Sequence, residues 1–172
     1  PEQAIEPLLS ITVKNHQSKK FVVWGVGKFN NTRNDVTYVE CESELHLIKE
    51  FLIFWEKHLP DIITGWNVDS FDITYLCNRI DRLFGEDQHK RLSPWNMSDF
   101  REFTSYGYQK NQKYTLYGVN VIDYMELYQK RTFVNQESHS LNHVTFIEPH
   151  YVLRTPLILI RHLHALAYSL TH

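Results

Sequence analysis

Asp61-Ile62-Ile63-Thr64-Gly65-Trp66-Asn67-Val68-Asp69-Ser70-Phe71-Asp72-Ile73-Thr74-Tyr75-Leu76-Cys77-Asn78-Arg79-Ile80 decides how this chain is read. Its first six residues form a short apolar run of strand character. From Ile73 on, Leu76, Cys77, Ile80, Leu83 and Phe84 recur at helical spacing until Gly85, a residue type that readily ends helices. Asp72 stands at the junction. A carboxylate there can cap the helix or hold a metal ion at the edge of a sheet, and position alone leaves both roles open.

Upstream of this stretch, Leu45, Ile48, Leu52, Trp55 and Leu59 predict a second helix, with Ser43 placed to cap it and Pro60 to stop it. Helix, strand, helix in this order implies a parallel crossover layer. Further upstream, Leu8 to Val13 and Phe21 to Val26 are β-branched and aromatic runs around a polar stretch, as in a hairpin, and Val36 to Cys41 adds a third short strand. Downstream, Glu86 to Lys113 is polar and aromatic without clear period, and its length favours a functional loop or a hairpin. Thr115 to Asp123 returns to strand character, and Met125 to Arg131 reads as a short helix. There is no internal repeat.

The length of 172 residues fits one domain or a piece of a larger one. A 42% hydrophobic fraction is enough to bury a core, while a net charge of -2 provides no overall basic field, so any nucleic-acid contact must be local. Cys41 and Cys77 are too far apart for a metal knuckle and are expected to be free buried thiols in a reducing compartment. The start, Pro1 to Pro7, carries neither Met nor a leader-like pattern and reads as the middle of a protein. The apolar run Pro156 to Ile160 is broken by Arg161, His162 and His164, so no membrane-spanning helix is expected. From about Thr145 the composition changes. No Asp follows Asp123, and six of the ten histidines lie from His139 onward. His162 and His164 would share one face of a strand, and a zinc site there is not expected.

The run Pro60 to Ile80 closely resembles the second exonuclease motif, Asn-x-x-x-Phe-Asp, of the family B DNA polymerases of T-even-type phages. The resemblance continues through Lys90-Arg91-Leu92-Ser93-Pro94, through Gly118-Val119-Asn120-Val121-Ile122-Asp123-Tyr124-Met125-Glu126-Leu127-Tyr128 and on to Ser138-His139-Ser140-Leu141. The segment Ile11 to Lys19 is similar to marine and cyanophage relatives, so residues 1–144 are covered. The resemblance implies an α/β, ribonuclease H-like 3′→5′ exonuclease domain with a mixed sheet, which removes mismatched nucleotides from a primer. It implies a two-ion Mg²⁺ site as cofactor, because two metals that activate water and stabilise the leaving oxygen need carboxylates converging from separate elements.

By that resemblance Asp72 is the catalytic, metal-binding carboxylate. Asn67 matches the motif's Asn, where its amide could orient the scissile nucleotide or fix the turn. Phe71 is expected to pack beneath the site, with stacking on a frayed base as the other reading. Arg101 to Gln112 aligns with a hairpin that in the family helps separate primer from template. Tyr106 and Tyr108 flank Gly107 there, with Arg101, Lys110 and Lys113 near enough to meet phosphates; an ordinary solvated loop is the alternative. Asp123 and Glu126 are read as capping and surface residues.

The chain also departs from the family pattern. The Asp-x-Glu of the first strand would lie before Pro1, and no downstream Tyr-x-x-x-Asp is present. The first strand and last helix are therefore expected to be missing, leaving unpaired sheet edges, and the isolated chain is expected to lack appreciable exonuclease activity. Residues 145–172 are expected to be a divergent tail, translated out of frame or from across a gene break. The implied partners are the single-stranded primer 3′ end, template DNA and the rest of a polymerase chain, with no membrane, in the cytoplasm of a phage host. The alternative from another class is a catalytically silent ribonuclease H-like module that binds single-stranded nucleic acid.

Overall fold

The computed structural model describes residues 3–104, 110–131, 141 and 158–162. Strands β1 (Leu8–Lys14) and β2 (Phe21–Val26) form the expected antiparallel hairpin. Its turn is locked locally: Asn15 Oδ1 accepts the Ser18 N–H at 2.9 Å, and Lys19 takes the left-handed conformation the reversal needs. β3 (Val36–Cys41) lies parallel to β2, in register from Phe21 opposite Val36 to Val26 opposite Cys41.

Helix α1 (Glu44–Lys57) covers this sheet. Ser43 caps it by accepting the His46 N–H at 3.3 Å, and the helix ends before Pro60. The buried stripe is Leu47, Ile48, Phe51, Leu52 and Trp55; Leu45 and Leu59, expected on that face, are exposed. The stripe is shifted because the large rings, not the leucines, meet the sheet. Phe51 and Phe54 pack edge-on against buried Trp24 at centroid distances of 5.4 and 4.9 Å.

After α1 the chain enters β4 (Ile62–Gly65), turns through a π-helical segment (Val68–Ile73) and continues as α2 (Thr74–Phe84), which Gly85 ends at a φ of 106°. One buried ion pair fastens α2 to α1. The Arg79 guanidinium grips Glu44 with two bonds of 2.7 and 2.6 Å and donates two more, of 2.8 Å each, to the carbonyls of Ala4 and Ile5. Glu44 also accepts the Leu8 N–H at 2.6 Å, so the start of β1 and both helices share one polar knot.

The long polar stretch is a 3₁₀ segment (Gln88–Leu92) followed by the hairpin of β5 (Ser98–Thr104) and β6 (Lys110–Leu116). His89 fastens the two parts, with one ring nitrogen on Asp81 of α2 at 2.6 Å and the other on Ser98 at 2.7 Å. The strand expected over Thr115 to Asp123 is broken in two. Gly118, at a φ of 87° and close beneath Pro94, makes a turn between β6 and β7 (Asn120–Asp123), which leads directly into α3 (Tyr124–Arg131).

β7 pairs with β4 in parallel, from Ile62 opposite Asn120 to Gly65 opposite Asp123, as the crossover reading requires. β8 (Ile158–His162) pairs antiparallel with β1, giving a mixed sheet in the order β3-β2-β1-β8. The expectation of an unpaired edge is therefore corrected at β1, whose second row of backbone groups is taken up by a strand from the tail. β8 also lies against β4 and the π-helical turn. Cys41 and Cys77 are free and buried, and burial pushes the Cys77 thiol well up. No helix among the described residues is long and apolar enough to cross a membrane.

Candidate functional site

The parallel pairing of β4 with β7 creates the site, because it ends with Gly65 beside Asp123 and delivers the turn Asn67 to Asp72 onto the start of α3. Asn67 begins the turn in the left-handed conformation, φ 55° and ψ 25°. Asn tolerates that region better than other residues with a Cβ, so its backbone already explains the residue type. Gly65 is required by proximity, since a Cβ there would stand 2.8 Å from that of Val68.

Asp123 holds the turn in place. One of its oxygens accepts the N–H groups of Asn67 and Met125, each at 2.9 Å, and the other accepts the Asp69 N–H at 3.1 Å. Its expected capping role is present at Met125, the start of α3. The expected surface location is corrected: Asp123 is 7% exposed, because it bridges two elements and accepts main-chain N–H groups from both. Glu126 is a surface residue, paired with Lys130 at 3.1 Å.

Asp72 is 6% exposed. It lies inside the π-helical turn and not at the N-cap of α2, a position taken by Ile73. That removes the plain capping reading. Phe71 is not beneath the site. Phe71 is 36% exposed and its ring stacks on Tyr75 at 6.2 Å, because the turn buries Val68, Asp69, Asp72 and Ile73 and leaves Phe71 on the opposite side.

Asp69, three residues before Asp72, is the residue that sequence reasoning passed over. It is 3% exposed, and its Oδ2 meets Lys113 Nζ of β6 in an ion pair. Burial pushes its carboxyl above the usual carboxylate range; Lys113 opposes the rise, while the charges of Asp123 and Glu126 add to it. Lys113 was expected to meet phosphates and is corrected: its ammonium is engaged with this buried carboxylate. Arg101 is an exposed residue of β5, paired with Asp99 at 3.0 Å. Lys110 begins β6, while Tyr106 and Tyr108 lie outside the described residues.

The described residues gather no three His, Cys, Asp or Glu side chains able to hold a metal ion. Asp69 is paired with an ammonium and Asp123 is committed to three backbone N–H groups, so neither carboxylate is set up here to share a metal ion with Asp72. By themselves these residues do not fit a magnesium site.

Comparison with known proteins gives a consistent outcome. The family model for the exonuclease domain of family B DNA polymerases matches residues 6–144. A DNA-directed DNA polymerase of Escherichia phage RB69 is 42% identical over 113 residues, which cover 66% of this chain and 12% of that protein. The DNA-directed DNA polymerase of Enterobacteria phage T4 is 35% identical over 109 residues, 63% of this chain and 12% of the relative. A DNA polymerase of Pyrococcus glycovorans is 34% identical over 83 residues, 48% of this chain and 10% of the relative. The matches thus span about an eighth or less of these relatives' length.

Proposed function

The chain belongs to the family B DNA polymerases, within their exonuclease domain, and from that premise we propose that it is part of a phage replicative polymerase whose 3′→5′ proofreading site uses Asp72. The observation that carries the reading is the braced turn. The residues matching the motif, Asn67 to Asp72, sit within the matched region, and Asp72 is buried at the end of a parallel strand on a turn fastened by Asp123. A carboxylate held this way is preorganised for a divalent cation, which is what the metal-dependent chemistry of this domain family needs.

In this reading Asp72 would supply one ligand to a Mg²⁺ site that the rest of the polymerase chain completes. The substrate is the single-stranded 3′ end of a primer on template DNA. Asn67 and Phe71 precede Asp72 on the same turn, and Phe71, partly exposed on the side of that turn away from Asp72, is left to stack on a base of the strand and not to support the metal site. The 172-residue chain alone does not digest DNA. In this reading residues 145–172 are a divergent tail, and the protein acts in the host cytoplasm; translating the tail's coding region in its other two frames tests the tail assignment.

The decisive experiment replaces the matching segment of the RB69 polymerase with residues 6–144 and follows Mg²⁺-dependent release of nucleotides from a 3′-labelled single strand. The hybrid should digest the strand, and Asp72→Ala should slow it by on the order of a hundredfold or more. A hybrid that binds the strand but is indifferent to Asp72→Ala would support the silent binding module instead.

A further inference from the structure

The contact between Asp69 and Lys113 joins two parts of the molecule that no other ion pair among the described residues connects. Asp69 Oδ1 is buried with no hydrogen-bond partner among the described residues, so the whole compensation of this carboxylate rests on Oδ2 and the Lys113 ammonium. Lys113 is partly exposed and reaches inward from β6. The same strand makes a second contact nearby, where the single proton of the Thr74 hydroxyl, at the start of α2, is shared between the Asp69 carbonyl at 3.1 Å and the Gln112 carbonyl at 3.2 Å. Two adjacent residues of the hairpin therefore meet the motif turn at Asp69 and at the residue that follows the π-helical segment.

We propose that Lys113 is a positioning residue that couples the β5–β6 hairpin to the turn carrying Asn67 and Asp72. Without the ammonium, the Asp69 carboxylate would be a buried charge with no compensation, and it would take up a proton or move toward water. Movement of Asp69 draws its N–H away from Asp123, and the Asn67 N–H bound to the same carboxylate loosens with it. Displacement of the hairpin is transmitted to the turn by the same route. The coupling goes beyond the exonuclease reading, because it depends on contacts within this chain and holds whether or not Asp72 binds a metal.

Amide hydrogen exchange of the 172-residue chain tests it. Lys113→Met should speed exchange at the Asn67 and Asp69 amides by roughly tenfold or more, while amides within the β1–β2 hairpin change by less than about twofold. Lys113→Arg should restore the protection, since a guanidinium can reach the same carboxylate. Should Lys113→Met not fold, Lys113→Gln, which keeps a donor but no charge, should speed the same two amides by a smaller factor. Unchanged exchange at Asn67 and Asp69, a uniform loss of protection across the chain, or failure of Lys113→Arg to rescue would each overturn the proposal.

Discussion

Among the described residues, the Arg79–Glu44 and Lys113–Asp69 ion pairs are built on opposite plans. At the start of β1, Arg79 and Glu44 form a closed set: two guanidinium-carboxylate bonds, two bonds to main-chain carbonyls and one main-chain N–H returned to Glu44. At the motif turn, Asp69 and Lys113 form an open set, with one carboxylate oxygen left without a partner among the described residues and the lysine reaching in from solvent. A saturated pair fixes chain geometry, since every alternative arrangement loses several bonds together. An open pair holds its position by charge alone, and it lies where the chain carries its candidate chemistry.

The sharpest way to break this contrast is at Arg79. Arg79→Met should lower unfolding stability by about 3–5 kcal/mol in urea titration, because Glu44 and two carbonyls lose their partner inside the protein. Arg79→Lys should recover little of it, as an ammonium cannot reproduce the planar fork. A loss under about 1 kcal/mol would show that the closed set is not a determinant of the fold.

Asp123 comes next. Asp123→Ala strands three N–H groups, and a cost of about 1–3 kcal/mol is expected, with an altered Trp66 emission because Trp66 packs against Tyr128 of α3 at 5.7 Å. Unchanged emission in a folded variant would mean that the turn does not depend on Asp123 as its brace.

The two plans also differ in how far they can be read from sequence. The hairpin of β1 and β2, the Ser43 cap and the Gly85 stop were legible because each is specified by neighbours within a few residues. The short spacing of Asn67 and Asp72 put both on one strand-to-helix turn for the same reason. Asp123 reaches its turn across 56 residues of chain in one bond and 54 in the other, and no local pattern encodes that. Lys113 likewise looked like a free surface cation, since its partner lies far away in the sequence. Phe71 was expected beneath the site from its place next to Asp72 in the motif, but a π-helical turn takes more residues per turn than an α-helix and carries it to the exposed side.

Asn67 separates geometry from chemistry on a smaller scale. Asn67→Ala should cost about 1 kcal/mol because the left-handed conformation crowds an ordinary Cβ, while Asn67→Gly should be close to neutral in stability. If the amide also orients substrate, Asn67→Gly in the hybrid polymerase should keep the fold and lose digestion. A variant that retains full digestion would limit Asn67 to its backbone role.

The smallest expected effect concerns pH and follows from the open pair. Burial raises the Asp69 carboxyl above its value of 3.8 in an unfolded chain. The folded state then holds that proton more tightly, so the contribution is present in full below the unfolded value and is lost as pH rises through the folded one. Asp69→Asn does not titrate there and serves as the reference. The stability of the parent chain relative to Asp69→Asn should therefore be greatest below the unfolded value of 3.8 and should decline as pH rises through the elevated carboxylate range to a plateau. Urea midpoints of both proteins across that range measure it. A relative stability that instead rises with pH would mean that Lys113 overcomes the cost of burial, and the pair at the motif turn would then be as well compensated as the one at Arg79.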